Sequence, residues 1–302
     1  AKSMKSIPYG HQSIDLDDIR EVVKVLKSGW LTQGPKIKEF EDALSRYTGA
    51  KYAVAVSSGT AALHVACLAA DIKKGDEAIT SPVTFIASAN CVLYCGGKPV
   101  FADIQDDTIN IDPAEIVKKI AKKTKAVIPV HFAGHPVDLE EISHIARKHN
   151  LMVIEDAAHA LGAEYKGSKI GSCKYSDMAV FSFHPVKSIT TGEGGAVLTN
   201  RKDLYDNLVI LRNHGITRDS SRFTLSGSRK EGSWYYEQQD LGFNYRITDF
   251  QCALGTSQLK KLDSFIEKRR TIAAAYTDEL SDIDDIILPV EKEYVRSSWH
   301  IY

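Results

Sequence analysis

Cysteine is scarce in this sequence and shows no pairing pattern. The 302 residues hold five (Cys67, Cys91, Cys95, Cys173 and Cys252), an odd number with no CxxC spacing. That argues against a disulfide framework and against a zinc site, and it predicts reduced, packed thiols in a cytoplasmic protein without a bound metal. No stretch approaches roughly 18 uninterrupted apolar residues, and the polar opening AKSMKSIPYGHQS has no signal-peptide core, so neither membrane insertion nor secretion is expected. Residues 1 to 3, ahead of Met4, read as a cloning remnant. An excess of one charge is missing as well: 38 Lys and Arg face 39 Asp and Glu, a formal net charge of −1. Without clustered positive charge there is no electrostatic basis for gripping a phosphate backbone, so nucleic acid is not an expected partner. Internal repeats and low-complexity segments are absent too.

What is present is material for a core. Hydrophobic residues make up 43% of the chain, and at about 150 residues per domain the length suggests two domains. Short β-rich runs alternate with segments of helical periodicity, which predicts an α/β fold with helices on both faces of a mainly parallel sheet. Seven runs read as strands: 52 to 56, 77 to 80, 99 to 102, 126 to 130, 151 to 155, 178 to 182 and 195 to 199. Several are apolar on both faces, as central strands of a covered sheet must be. Helix starts are marked by Asp112 with Pro113 and Glu115, and by Asp138 before LEEISHIARKH. The connections at 156 to 177 and 183 to 194 read as loops, and loops at the carboxyl ends of strands are where ligands bind in such sheets. A large α/β domain over 1–247 is therefore expected. Beyond it, a long helical run opens a second, smaller domain over 248–302. The last residues, SSWHIY, look like a strand with nothing to pair with, which predicts that a C-terminal portion is missing.

Three segments can carry chemistry. In SSGTAALHVA (57 to 66) a strand gives way to small hydroxyl residues and an apolar helix, so free N–H groups and the helix dipole converge on one spot. Neither GxGxxG nor a P-loop signature is present, and an ordinary N-capped helix reads the same way. In EDAAHALG (155 to 162), Asp156 at the end of a buried strand needs a partner, and a protonated ring nitrogen would serve; His159 lies near if the loop turns back. The alternative is an Asp capping a turn and a His bonded to a carbonyl. In SFHPVKSITTGEGGAV (182 to 197), Lys187 sits in a loop between buried strands, where exclusion of water lowers its pKa and makes the amine nucleophilic. Ser182 can add a hydroxyl to the anion cradle. Most lysines, however, are simply solvated. Taken together, cradle, acid and amine are the parts that pyridoxal phosphate (PLP) requires. Phe85 offers a ring that can stack on it, or is a core phenylalanine.

The order SSGTAAL, PVTF, EDAAHALG, SFHPVKSITTGEGGAV, GFNYRITDFQCALG resembles the DegT/StrS family of fold-type I, PLP-dependent sugar-nucleotide aminotransferases, from SGWLTQGP to SSWHIY. The segments FHPVK and ITTGEGG are similar to the pseudaminic acid branch of that family, which aminates carbon 4 of a UDP-linked 4-keto-6-deoxy hexosamine. The resemblance implies an imine between Lys187 and PLP, Asp156 on the pyridine nitrogen and His159 at the phenolic oxygen. It implies that Ser58, Gly59, Thr60 and Ser182 hold the phosphate or adjacent substrate, with Phe85 on the ring. It further implies that Asn244 reaches the phosphate from the second subunit of a homodimer, and that Tyr9, Gly29, Trp30, Leu31 and Thr32 contact the sugar nucleotide. The expected reaction is a ping-pong transfer with L-glutamate as donor, in which Lys187, once displaced, acts as general base and acid. Two rivals share the fold. Related dehydratases using pyridoxamine phosphate have His where the imine lysine stands, against which Lys187 argues. A PLP-binding regulator without turnover would keep the pocket, and nothing in the catalytic positions is degraded.

Overall fold

The computed structural model describes residues 10–225, 232 and 234–302. Helices α1 (Leu16–Leu26) and α2 (Pro35–Thr48) precede the first strand, β1 (Tyr52–Val56). Then follow α3 (Gly59–Ala69), β2 (Glu77–Thr80), α4 (Ala87–Tyr94), β3 (Lys98–Phe101), α5 (Pro113–Lys119), β4 (Thr124–Ile128), α6 (Leu139–His149) and β5 (Met152–Asp156). Next come the short strands β6 (Glu164–Tyr165) and β7 (Ser168–Lys169), then β8 (Met178–Ser182), β9 (Gly195–Thr199) and α7 (Lys202–Leu211). Two short strands, β10 (Ile216–Thr217) and β11 (Glu237–Gln238), lead to α8 (Asp249–Leu259), α9 (Leu262–Leu280) and β12 (Val295–Arg296).

The seven expected strands make one sheet in the order β1-β9-β8-β5-β4-β2-β3. The pairs from β8 through β3 are parallel, while β9 runs antiparallel to both of its neighbours, β8 and β1. Strand residues alternate between two cores. Ala53, Ala55, Val153, Ala179 and Phe181 pack with Phe40, Leu44, Ile142, Leu262 and Ile266 on one face. Val54, Val56, Ile154, Met178 and Val180 pack with Leu63, Val92, Leu204 and Leu208 on the other. The sheet is thus covered on both sides, which is why its strands read as continuous apolar runs. Among the described residues, no helix is long and apolar enough to cross a membrane.

Several sequence expectations need correction. The run at 126 to 130 ends as a strand at Ile128, because Pro129 has no N–H to donate to the ladder. The strand expected at 151 to 155 runs from Met152 and includes Asp156, which pairs with Val180. Asp138 does precede a helix, but its carboxylate accepts from Tyr294 Oη at 2.7 Å instead of capping the first turn. Within 156 to 177 the chain is not only loop: β6 and β7 form a hairpin. The helical run after 248 is broken between Leu259 and Leu262, and Cys252, Leu259, Leu262 and Ile266 contribute to the core against the sheet. SSWHIY does find partners. Its approach, β12, pairs with β6, and the N–H groups of Ser298 and His300 donate to the carbonyls of Gly134 (3.1 Å) and Ala133 (2.8 Å).

Candidate active site

Strand direction brings the three segments together. β5 and β8 are parallel neighbours, and β1 has the sense of β8 because both oppose β9. Asp156, the last residue of β5, the loop that follows Ser182, and Ser58 beyond β1 therefore share the carboxyl edge of the sheet. A cavity of about 690 Å³ opens there, and Ser58, Gly59, Thr60, Phe85, Asp156, His159, Ser182 and Lys187 all line it. Its volume falls in the usual range of about 300–1,000 Å³ for small-molecule sites.

One wall of the cavity is the start of α3. Ser58 is the N-cap, and its Oγ accepts from the N–H of Ala61 at 3.0 Å, so the residue caps the helix while its own hydroxyl hydrogen stays free to donate. The first-turn N–H groups have no partner within the helix by construction. Gly59 is required by close approach: a Cβ there would lie 2.7 Å from Ser182 Cβ and 3.0 Å from its Oγ.

Two acids end β5, and each finds its own partners. Glu155 accepts from Ser176 Oγ and faces His131 Nε2 at 2.8 Å, with both side chains buried. Asp156, 5% exposed, accepts from Ser88 Oγ at 2.6 Å through Oδ2 and from the N–H of Ala158 at 3.2 Å through Oδ1. It thus does cap a turn, yet it also faces the cavity. Lys187 is half-buried; desolvation lowers its pKa, and the charge of Asp156 works in the opposite direction. Its amine is therefore easier to deprotonate than a solvated lysine.

His159 has no carbonyl partner on Nδ1, which is buried without a hydrogen bond. Burial first, and the Lys187 charge second, lower its pKa to about 3, so its imidazole is neutral near pH 7. His300 stacks on it with centroids 4.2 Å apart. The chain is held there by Ser298 Oγ, which donates to the His159 carbonyl at 2.7 Å. Gly134, at φ +95°, lets these strands of backbone meet, since a Cβ would lie 2.4 Å from Ser298 Oγ. Phe85 is 70% exposed at the cavity rim, which excludes a core role.

Other expected residues lie elsewhere. Asn244 and Thr32 line a separate cavity of about 990 Å³ that shares no lining residue with the first. Gly29, Trp30 and Leu31 are exposed and absent from the first cavity's wall, because the segment before α2 packs toward Asp249 of α8 instead. Tyr9 lies outside the described residues. Sequence reasoning missed Thr84, Ser88 and His300, although all three stand in or beside the quoted segments; their roles depend on which remote chain folds against them.

Comparison with known proteins gives one consistent answer. The profile of the DegT/DnrJ/EryC1/StrS aminotransferase family matches residues 12–302. The UDP-4-amino-4,6-dideoxy-N-acetyl-beta-L-altrosamine transaminase of Campylobacter jejuni (serotype O:23/36, strain 81-176) is 44% identical, covering 98% of this chain and 75% of its own. Helicobacter pylori PseC, described as an aminotransferase involved in the biosynthesis of pseudoaminic acid, superposes with a TM-score of 0.86 at 35% identity, over 98% of this chain and 76% of that one. The PLP form of the putative sugar aminotransferase Spr1654 from Streptococcus pneumoniae gives 0.87 at 32% identity, over 98% and 77%.

Proposed function

The chain belongs to the DegT/DnrJ/EryC1/StrS aminotransferase family, a class of PLP-dependent transaminases, and from that premise we propose that it moves an amino group from L-glutamate to a nucleotide-linked 4-keto-6-deoxy sugar. The sugar nucleotide is a UDP-linked 4-keto-6-deoxy-N-acetylhexosamine, in pseudaminic acid or related surface-glycan synthesis. The identities to the Campylobacter jejuni transaminase and to Helicobacter pylori PseC support that choice. The active form is a cytoplasmic homodimer in which Asn244 of each chain serves the other's site; its position in a cavity apart from Lys187 supports this arrangement. Thr32 lies in that same cavity, and with Tyr9, Gly29, Trp30 and Leu31 it contributes sugar-nucleotide contacts. Residues 1–247 make the cofactor domain, on whose core Cys252, Leu259, Leu262 and Ile266 of the following helices also pack.

The residues present fit the cofactor. The cavity offers an unpartnered buried nitrogen at His159, a helix start closed by Gly59 against Ser182, and a lysine of lowered pKa beside a buried carboxylate. When bound, PLP supplies an electron sink for the carbon that loses its proton. Ser58, Gly59, Thr60 and Ser182 receive the phosphate with N–H and hydroxyl donors. Asp156 holds the proton of the ring nitrogen by placing a negative charge in a poorly hydrated site. His159, neutral, would hold the phenolic oxygen, and Phe85 would cover a face of the ring. Lys187 would hold the aldehyde and, as the free amine, would carry a proton at its Nζ as base and acid. The half-buried position keeps that amine out of bulk water, so its neutral form is accessible.

The convergence of Lys187, Asp156 and the α3 start on one cavity carries this reading. Incubating the PLP-loaded protein with L-glutamate should bleach its visible band and release 2-oxoglutarate, and a panel of UDP-, dTDP- and GDP-linked 4-keto sugars should then restore the band with the UDP sugar best. No spectral change with glutamate would refute the reaction; preference for another nucleotide would refute the substrate.

A further inference from the structure

We propose that Ser88 is a positioning residue for the reaction, the inner member of a hydroxyl relay that runs from Thr84 through Ser88 to Asp156 and fixes the carboxylate against the cofactor ring. This rests on the reading of Asp156 given above. Ser88 is fully buried in the first turn of α4. Its Oγ lies 2.6 Å from Asp156 Oδ2, 2.7 Å from Thr84 Oγ1 and 3.2 Å from the Phe85 carbonyl.

A hydroxyl has one hydrogen to give. Here it goes to the short contact with the carboxylate, since charge-assisted O–H···O⁻ bonds are the shorter and stronger ones. The hydrogen between the two hydroxyls must then belong to Thr84, and the direction of the chain is set: Thr84 donates to Ser88, and Ser88 donates to Asp156. Thr84 also lines the cavity, so the relay begins at its wall and ends at the acid. With the Ala158 N–H on Oδ1 and Ser88 on Oδ2, both carboxylate oxygens of this cavity-lining residue are held, and each still has acceptor capacity left. Neither hydroxyl touches the reacting carbon; both act through Asp156. A chain of polarised donors strengthens its last bond, which stabilises the negative charge that faces the ring nitrogen.

The test compares wild type, Ser88→Ala, Ser88→Thr and Thr84→Val after loading with PLP labelled with ¹⁵N in the ring. The ring ¹⁵N shift and the pH titration of the visible band are read beside kcat and KM. For Ser88→Ala, the band's midpoint should move by about half a pH unit or more and the ¹⁵N shift should follow. kcat should fall about tenfold at nearly unchanged donor KM, the scale of one hydrogen bond to a charged group. Ser88→Thr, which keeps the hydroxyl, should stay near wild type, and Thr84→Val should move the same readings in the same direction by less. If Ser88→Ala does not fold, Thr84→Val decides, and readings superimposable on wild type overturn the proposal. A folded Ser88→Ala that titrates and turns over like wild type overturns it alone. A wild-type protein with no PLP band overturns the reading of the site, and the relay with it.

Discussion

His159 and His300 lie ring on ring, centroids 4.2 Å apart and planes inclined by 35°, with Nδ1 of each buried and without a hydrogen bond. One comes from the turn after β5 and the other from the run after β12, so the segment that follows the last described strand helps to build the cavity wall. Burial dominates the lowered pKa of both rings, and the Lys187 charge adds to it.

That pair makes stability depend on acid. His159 is held near 3 when folded against an ordinary value of 6.5, so between those values the unfolded chain takes up a proton that the folded one refuses. Stability is full above about pH 6.5 and falls as the pH drops toward 3. The melting temperature of His300→Phe should fall less steeply over this window than that of wild type. Equal slopes would contradict the assignment.

For Lys187 the two influences oppose each other: burial favours the neutral amine, and the Asp156 carboxylate favours the ammonium. Removing the carboxylate must therefore lower the lysine's pKa further. In cofactor-free protein, the pH profile for acylation of Lys187, followed by peptide mass spectrometry, should have its midpoint below the 10.5 of an ordinary lysine. It should lie lower still in Asp156→Asn; an upward move would refute the coupling.

Gly59→Ala tests the cradle. The added methyl would lie 2.7 Å from Ser182 Cβ, and relieving it costs about 1–3 kcal/mol of local shift. PLP should bind about tenfold or more weakly, measured by fluorescence titration, while circular dichroism is unchanged. Undiminished affinity would mean that the phosphate sits elsewhere.

Phe85→Ala separates binding from folding, because a ring that is 70% exposed contributes little to the core. Thermal stability should hold within a degree or two. PLP affinity should fall about two- to tenfold, the equivalent of the roughly 0.5–1.5 kcal/mol of an aromatic stack. Lost stability with unchanged affinity would overturn the stacking role.

How much of this was legible in the sequence follows from what each feature depends on. β1, β2, β8 and β9 stand where their apolar runs stand, since a strand buried on both faces writes itself locally. Asp156 was legible as a strand-end residue, and Ser58 and Lys187 as residues of the segments that follow strands; strand direction brings all three to one edge. Asp138 misled because its carboxylate bonds to Tyr294, far along the chain. The Ser88 contact to Asp156 and the stacking of His300 on His159 depend in the same way on segments that no local pattern connects. Asn244 and Thr32 were legible as a motif and a segment, but not as lining a second cavity together.

Reduction of the PLP-loaded protein with borohydride, followed by peptide mapping, tests the central claim most directly. The account predicts the pyridoxyl group on the peptide carrying Lys187, and none on Lys187→Ala of the same melting temperature. Attachment at any other lysine, or an unlabelled Lys187 in protein that holds PLP, would contradict it.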